Sequence, residues 1–151
     1  MFLPLHMISS ANFKTVLYPV HKTYWKKAEQ KLRRKISALR SSLKKRSEDS
    51  DVEFKITSHQ IQQMFYDIYG SDCKYCNKQL NIRTIACDHI IPLSKGGPSI
   101  KENLQLICRT CNTRKGPLDE ENFQYIMKWV DGQEEEVKNY LMRKLAKGGR
   151  Y

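Results

Sequence analysis

Apolar residues recur every three or four positions along the stretch 23–46. They are Trp25, Ala28, Leu32, Ile36, Leu39 and Leu43. This spacing predicts an amphipathic helix with one apolar face. Its other faces carry lysines and arginines opposed only by Glu29, whereas ordinary surface helices mix both signs. We therefore favour an arm that contacts phosphates. The simpler alternative is a solvated helix docked by its apolar stripe, and docking can also accompany phosphate contact.

Weaker signals predict the remaining elements. Thr57 or Ser58 can cap a second helix, and Gly70 stands where helices commonly end. The other predicted elements are a short extended segment at 12–20, a polar linker at 47–51, a hairpin over 77–107 with its first strand at 82–88, a short helix near 108–115, a helix capped by Asp119, and a last helix at 134–146.

Four of the five cysteines form two Cys-x-x-Cys pairs. The pairs are Cys73 with Cys76 and Cys108 with Cys111. Each pair is a tight turn that points two thiolates at one place, so two pairs predict a closed site for structural Zn²⁺. The odd cysteine, Cys87, lies beside Ala86 in the predicted strand and is expected to be a small buried apolar residue. This usage favours a metal in a reducing compartment over disulfides.

Composition narrows the partners of this 151-residue chain. The net charge is +11 and the isoelectric point is about 9.5, which indicates an anionic partner, most simply nucleic acid. No apolar run reaches the roughly 18 residues of a membrane span. The first residues lack a basic segment and are interrupted by Pro4 and His6, so no signal peptide is expected. We expect a cytoplasmic protein, in a bacterium or a phage-infected host cell, that is not secreted.

An Asp-His dipeptide, a glycine-rich turn and two asparagines lie between and beside the cysteine pairs. The residues are Cys73, Cys76, Asp88, His89, Ile90, Ile91, Pro92, Gly96, Gly97, Asn103, Cys108, Cys111, Asn112 and Lys115. In this order they resemble the HNH endonucleases. The resemblance implies an α+β, mostly helical fold: a ββα-metal core with structural zinc, flanked by N- and C-terminal helices. Asn112 departs from the family, which usually has His there.

The resemblance also implies a role for each polar residue. His89, whose imidazole titrates near neutral pH, is expected to deprotonate the attacking water. Asp88 and Asn112 would ligate a catalytic ion, and their hard oxygen atoms favour Mg²⁺ or Mn²⁺. Asn103 would tie down the loop that carries the base, the alternative being an ordinary turn residue. Neighbours on a regular strand point to opposite faces, so Asp88 and His89 share a site only if the strand ends or bulges there.

Basic residues beside this motif are the predicted phosphate contacts, although some of them can simply face solvent. They are Arg109, Arg114, Lys115 and Lys95, together with Lys31, Arg34 and Lys35 of the long helix.

These features together predict a metal-dependent DNA endonuclease that leaves 5′-phosphate and 3′-hydroxyl ends. Two alternatives stay open: a zinc-knuckle protein that binds nucleic acid without cutting it, and an RNA-directed nuclease. No aromatic-rich platform for single strands is evident, which favours double-stranded DNA. We expect a basic DNA-contacting arm at 1–51, the nuclease core at 52–131 and a basic helix at 132–151. A homodimer through the stripe 25–43, and a phage, homing or restriction setting, are left open.

Overall fold

The protein folds around a small two-stranded sheet with helices on either side of it in the chain. A computed structural model describes residues 22–147, so the predicted segment at 12–20 lies outside the described residues. Within that range the α-helices and β-strands are α1 (Lys22–Asp49), α2 (Ser58–Ile68), β1 (Ile85–His89), β2 (Leu104–Cys108), α3 (Arg109–Lys115), α4 (Glu120–Asp131) and α5 (Glu135–Leu145). The expected α+β, mostly helical class is confirmed.

Helix α1 docks onto the rest of the protein through its apolar stripe. Leu32, Ile36 and Leu43 are buried in the same hydrophobic cluster as the strand residues. Burying these side chains stabilises the fold by about 1.5–3 kcal/mol each. This part of the stripe is therefore already covered by the chain's own core, and it does not offer a surface for a homodimer.

The predicted linker at 47–51 is wrong at its start, because α1 continues to Asp49. Ser47 is fully buried, and its hydroxyl lies 2.9 Å from the carbonyl of Leu43 and 2.7 Å from the hydroxyl of Ser99. Polarity along the sequence suggested solvent here, but a tertiary partner satisfies the hydroxyl inside the protein.

Helix α2 begins with a capping box, as its sequence predicts. The Thr57 hydroxyl accepts a hydrogen bond from the backbone of Gln60 at 3.2 Å, and the Gln60 side chain accepts one from the backbone of Thr57 at 2.9 Å. Gly70 follows the helix with φ of +81°, a conformation that glycine adopts at little cost. Ile61 and Phe65 carry the buried face of α2 into the core.

Strands β1 and β2 form the predicted hairpin, with Ile85 paired to Cys108 and His89 paired to Leu104. β1 begins three residues later than predicted. Asn81 starts a turn there: its side-chain oxygen accepts from the backbone of Arg83 at 2.9 Å, and its carbonyl accepts from that of Thr84 at 3.1 Å. Because the register is continuous from Ile85 to His89, the strand ends at His89 without a bulge.

Helices α4 and α5 come after the hairpin and α3 in the sequence. Asp119 caps α4, as predicted, and Phe123 and Val130 are buried beneath it.

No helix within residues 22–147 has both the length and the apolar composition to cross a bilayer. The division of the chain into arm, core and C-terminal helix stays a prediction.

Candidate active site and zinc centre

The four paired cysteines converge on one point. The Sγ atoms of the tetrad, Cys73, Cys76, Cys108 and Cys111, all lie within 4.8 Å of one another. A tetrahedral Zn²⁺ with bonds of about 2.3 Å holds its sulfur atoms about 3.8 Å apart, so the tetrad has the dimensions of such a site. Cys87 is buried in β1 and does not belong to the tetrad, as predicted.

Local backbone geometry builds each half of the tetrad. The carbonyl of Cys73 accepts a hydrogen bond from the backbone of Asn77 at 2.8 Å, and Asn77 has φ of +55°. On the other side, the Cys108 sulfur caps α3 by accepting from the backbone of Cys111 at 3.3 Å. A turn and a helix start therefore aim the thiols at each other.

The pKa shifts within the tetrad differ in direction. Burial raises the pKa of the Cys108 and Cys111 thiols, because a buried thiolate loses its hydration, whereas at Cys73 burial is outweighed by hydrogen bonds from the backbone of Cys108 and Tyr75, which lower the pKa. Four thiolates in one buried cluster would also repel each other. A divalent ion such as Zn²⁺ supplies the positive charge that this ligand set needs.

Asp88, His89 and Asn112 line the same cleft. The cleft has a volume of about 290 Å³ and opens between the end of α1, the end of β1 and α3. Asp88 and His89 are adjacent at the end of β1, and Asn112 comes from α3, just beyond the tetrad. The structure thus brings together the three polar residues on which the sequence prediction depends.

Asp88 is buried and already engaged by protein groups. Its carboxylate lies 3.0 Å from the ammonium of Lys115 and accepts a hydrogen bond from Gln105 at 2.8 Å. Burial raises the pKa of Asp88, while these two partners oppose the rise. The carboxylate is thereby held in a fixed orientation at the cleft wall.

Lys115 is not placed to contact phosphate, which corrects the prediction made for it. Its side chain has no exposed surface, and its ammonium donates to Asp88 and, at 2.7 Å, to the carbonyl of His89. The helix α3 turns this residue inward because positions 111 and 115 lie on the same helix face. Lys115 instead supports the two residues at the end of β1.

His89 lines the cleft and presents one of its ring nitrogens, Nε2, to a protein group. Its Nε2 lies 2.8 Å from the hydroxyl of Ser99. Among the residues whose side chains are described, Nδ1 has no hydrogen-bond partner and is not enclosed. Burial lowers the pKa of His89 to about 4, and the positive charges of Arg46 and Lys115 act in the same direction. The imidazole is therefore neutral at physiological pH.

Asn103 holds the loop that follows His89. Its side-chain oxygen accepts from the backbone of Ile91 at 2.8 Å, and its nitrogen donates to the carbonyls of Ile91 at 3.0 Å and Pro98 at 2.9 Å. Gly97 lies against this clamp: a Cβ there would stand 1.8 Å from the Ile91 carbonyl oxygen. These are the contacts that a loop-positioning asparagine requires.

Two features of the site were missed by sequence reasoning. Gln105 donates to both Asp88 and Glu120, each at 2.8 Å, and Tyr75 also donates to Glu120. Burial raises the pKa of Glu120, but the hydrogen bonds from Lys74 and its other partners outweigh burial and hold that pKa at about 2. An ionised carboxylate thus lies behind Asp88, although no spacing signal linked these positions.

Arg46 is the second missed feature. It lies at the C-terminal end of α1 and lines the cleft beside His89. The sequence identified it only as one basic residue among many of the helix.

The remaining predicted phosphate contacts divide into paired and exposed groups. Lys95 forms an ion pair with Asp119 at 2.5 Å, and Arg114 donates from Nε to the carbonyl of Met142 at 3.2 Å. Asp119 and the Met142 carbonyl would therefore compete with a phosphate for these two side chains. The other members are exposed or half-buried, namely Lys31, Arg34, Lys35 and Arg109.

The positive charge of Arg109 on α3 acts on Lys35 of α1. Burial lowers the pKa of Lys35, and the charge of Arg109 lowers it further. The combined positive potential of the two side chains favours an anion nearby.

Comparison with known proteins identifies one segment of the chain. Residues 73–118 match the family described as HNH endonuclease, over less than a third of the chain. Among solved structures, the Type II-C Cas9 enzyme from Actinomyces naeslundii is similar over 85% of this chain, with 19% identity and a TM-score of 0.37. The chain spans 17% of the length of that protein. No curated protein matches the sequence.

Proposed function

We propose that the HNH endonuclease domain matched at residues 73–118 is catalytic and that the protein hydrolyses phosphodiester bonds in double-stranded DNA. One observation carries the proposal: Asp88, His89 and Asn112 line a single open cleft beside the cysteine tetrad. A carboxylate, a neutral imidazole and an amide in one cleft supply the ligands and the base that this reaction needs.

His89 is the general base in this proposal. Its Nδ1 has no partner among the described protein groups and is not enclosed, and the residue lines the cleft, so in this proposal Nδ1 accepts the proton of an attacking water. The low pKa of the ring keeps it in the acceptor form. A base of low pKa is a weaker proton acceptor, so the ring depends on close positioning of the water. The products expected are 5′-phosphate and 3′-hydroxyl ends.

Asp88 and Asn112 are the proposed ligands of a catalytic Mg²⁺ or Mn²⁺. Oδ1 of Asp88 retains a lone pair beyond its bond to Lys115, and the Asn112 side chain has no hydrogen-bond partner in the described part of the chain. Such an ion would neutralise charge on the phosphate and on the departing 3′ oxygen. The cysteine tetrad would hold Zn²⁺ with a structural role only.

Basic residues around the cleft support an anionic polymer as substrate. Arg46 lines the cleft, and exposed Lys31 and Arg34 continue the charge along α1. We expect binding to weaken steeply with salt, because these cations displace condensed counterions from DNA. A reducing, cytoplasmic setting is proposed from the free thiols of the tetrad.

Plasmid cleavage by the zinc-loaded protein with Mg²⁺ tests the proposal. Wild type is expected to convert supercoiled DNA to nicked or linear forms, and His89→Ala is expected to reduce the rate by about 10²–10⁴-fold, the usual contribution of a general base. His59→Ala is the matched control, since His59 is exposed in α2 and outside the cleft. Equal cleavage by His89→Ala and wild type would remove His89 from the mechanism.

DNA and RNA duplexes of the same sequence separate the remaining alternatives. Preferential cleavage of RNA would identify the substrate as RNA. Retained DNA binding without cleavage by wild type, in either Mg²⁺ or Mn²⁺, would identify a zinc-containing binding protein instead.

A further inference from the structure

Two buried serines connect the ring of His89 to the end of helix α1. The Ser99 hydroxyl lies 2.8 Å from His89 Nε2, and the Ser47 hydroxyl lies 2.7 Å from Ser99 and 2.9 Å from the carbonyl of Leu43. Both serines have no exposed surface. Water therefore does not substitute for any of these contacts, and the protein groups must satisfy one another.

The carbonyl at the end of this chain determines its direction. A carbonyl oxygen only accepts, so the contact at 2.9 Å is a hydrogen bond only when the Ser47 proton points at Leu43. Ser47 then accepts from Ser99, and Ser99 accepts from Nε2–H of His89. Three protons make three hydrogen bonds in this arrangement. The reverse direction makes only two bonds and leaves two oxygen atoms 2.9 Å apart without a proton between them.

We propose that Ser99 and Ser47 are positioning residues that fix His89 in the Nε2–H tautomer and so leave the Nδ1 lone pair facing the cleft. The inference rests on the proposed function for its catalytic consequence, but the tautomer itself is independent of it. Nδ1 is the ring nitrogen without a hydrogen-bond partner among the described side chains, and His89 lines the cleft. A ring held in the other tautomer would present N–H to the water and could not accept its proton.

The relay is the series of hydrogen bonds from His89 through Ser99 and Ser47 to the carbonyl of Leu43. Backbone contacts hold its middle residue, Ser99, in place. The backbone nitrogen of Ser99 donates to the backbone carbonyl of Glu53 at 2.8 Å, and the Ser99 carbonyl accepts from the backbone nitrogens of Lys55 at 3.1 Å and Ile56 at 3.2 Å. Ser99 is thus anchored on both sides of its side chain. Ser47 is positioned separately, by the docking of α1 through Leu43. The relay therefore makes the tautomer of His89 depend on the seating of a helix whose last turn lies 40 positions earlier in the sequence.

The test is ¹⁵N NMR of histidine-labelled, zinc-loaded protein in mildly alkaline solution, where the ring is neutral. The nitrogen shifts report which ring atom bears the proton. The chain has four histidines, and loss of one signal set in His89→Asn identifies that of His89. Wild type is expected to show Nε2–H. In Ser47→Ala, Ser99 loses its acceptor and turns its proton to Nε2, so a substantial fraction of His89 is expected to become Nδ1–H.

Ser41→Ala is the matched control, because Ser41 is exposed on the same helix and lies outside the relay. It is expected to leave both the tautomer and the cleavage rate unchanged. Ser47→Ala is expected to lower kcat by about tenfold with KM for DNA unchanged, as expected for a base that is partly in the wrong form. Ser99→Ala, which removes the direct partner, is expected to lower kcat further.

Each result decides the inference. Nδ1–H in wild type, or an unchanged Nε2–H pattern in Ser47→Ala, would overturn it whether or not the protein cuts DNA. A tautomer shift in Ser47→Ala supports it even if wild type proves inactive, in which case only the proposed function fails. If Ser99→Ala does not fold, the comparison of wild type with Ser47→Ala still gives the answer.

Discussion

Replacing Lys115 with Met leaves the Asp88 carboxylate buried without its cation. The side chain of Lys115 is fully buried and that of Asp88 is 6% exposed, so water cannot take the place of the ammonium. Breaking a buried pair by removing one partner typically costs about 3–5 kcal/mol. The lost hydrogen bond to the His89 carbonyl adds to this cost. We expect Lys115→Met to lower the free energy of unfolding by about 3–5 kcal/mol.

A double-mutant cycle isolates the pair from the packing of its side chains. Urea unfolding of the zinc-loaded protein is measured for wild type, Lys115→Met, Asp88→Asn and the double variant. Because the double variant leaves no unpaired charge, its loss should be smaller than the sum of the two single losses by about 2 kcal/mol or more. Lys78→Met is the control, since Lys78 is exposed and its change should stay within about 0.5 kcal/mol.

The opposite result has a definite meaning. A loss below about 1 kcal/mol for Lys115→Met, with additive effects in the cycle, is what an exposed pair gives. Lys115 would then be free to contact phosphate, as its position in the sequence first suggested, and the buried support of Asp88 would be refuted.

Three further predictions concern other parts of the site. The pKa of His89 is about 4 in the folded protein against 6.5 for the free side chain. As the pH falls from 6.5 to 4 the unfolded chain binds the proton first, so the free energy of unfolding decreases by up to about 3 kcal/mol. Urea unfolding across this range should show this decrease in wild type and not in His89→Gln. Cys111→Ala should abolish stoichiometric zinc in metal analysis, whereas Cys87→Ala should retain it, because only the former belongs to the tetrad. Gly97→Ala should lower the free energy of unfolding by more than about 2 kcal/mol, since its Cβ would stand 1.8 Å from a backbone oxygen. Gly96→Ala is the control: it has φ of +77° but free space around its Cβ, and should cost about 1–2 kcal/mol in the same unfolding assay. Equal losses for the two variants would contradict the predicted clash at Gly97.

The spacing of residues along the sequence predicted those parts of the fold that depend only on local geometry. The Cys-x-x-Cys pairs predicted the tetrad, because each pair closes its own turn before any tertiary contact forms. Thr57, Asp119 and Gly70 predicted helix ends for the same reason: a cap bonds within three or four residues of itself. The order of Asp88, His89, Asn103 and Asn112 resembled a known family strongly enough to place the site.

The sequence did not predict which polar side chains are buried. Lys115 and Ser47 are polar residues in polar surroundings along the chain, and both are buried in the structure. A buried polar group is tolerated only when a partner is present, and their partners, Asp88 and Ser99, lie 27 and 52 positions away. No periodicity connects positions at such separations.

The sequence by itself determined the cysteine tetrad, the helix ends and the residues of the HNH-like motif, because these depend on residue type and short spacing. Only the tertiary structure decided which of the basic residues are exposed, which carboxylate is paired, and which nitrogen of His89 contacts Ser99. Those properties depend on how α1, β1 and α3 pack together, and packing sets the partner of every buried polar group.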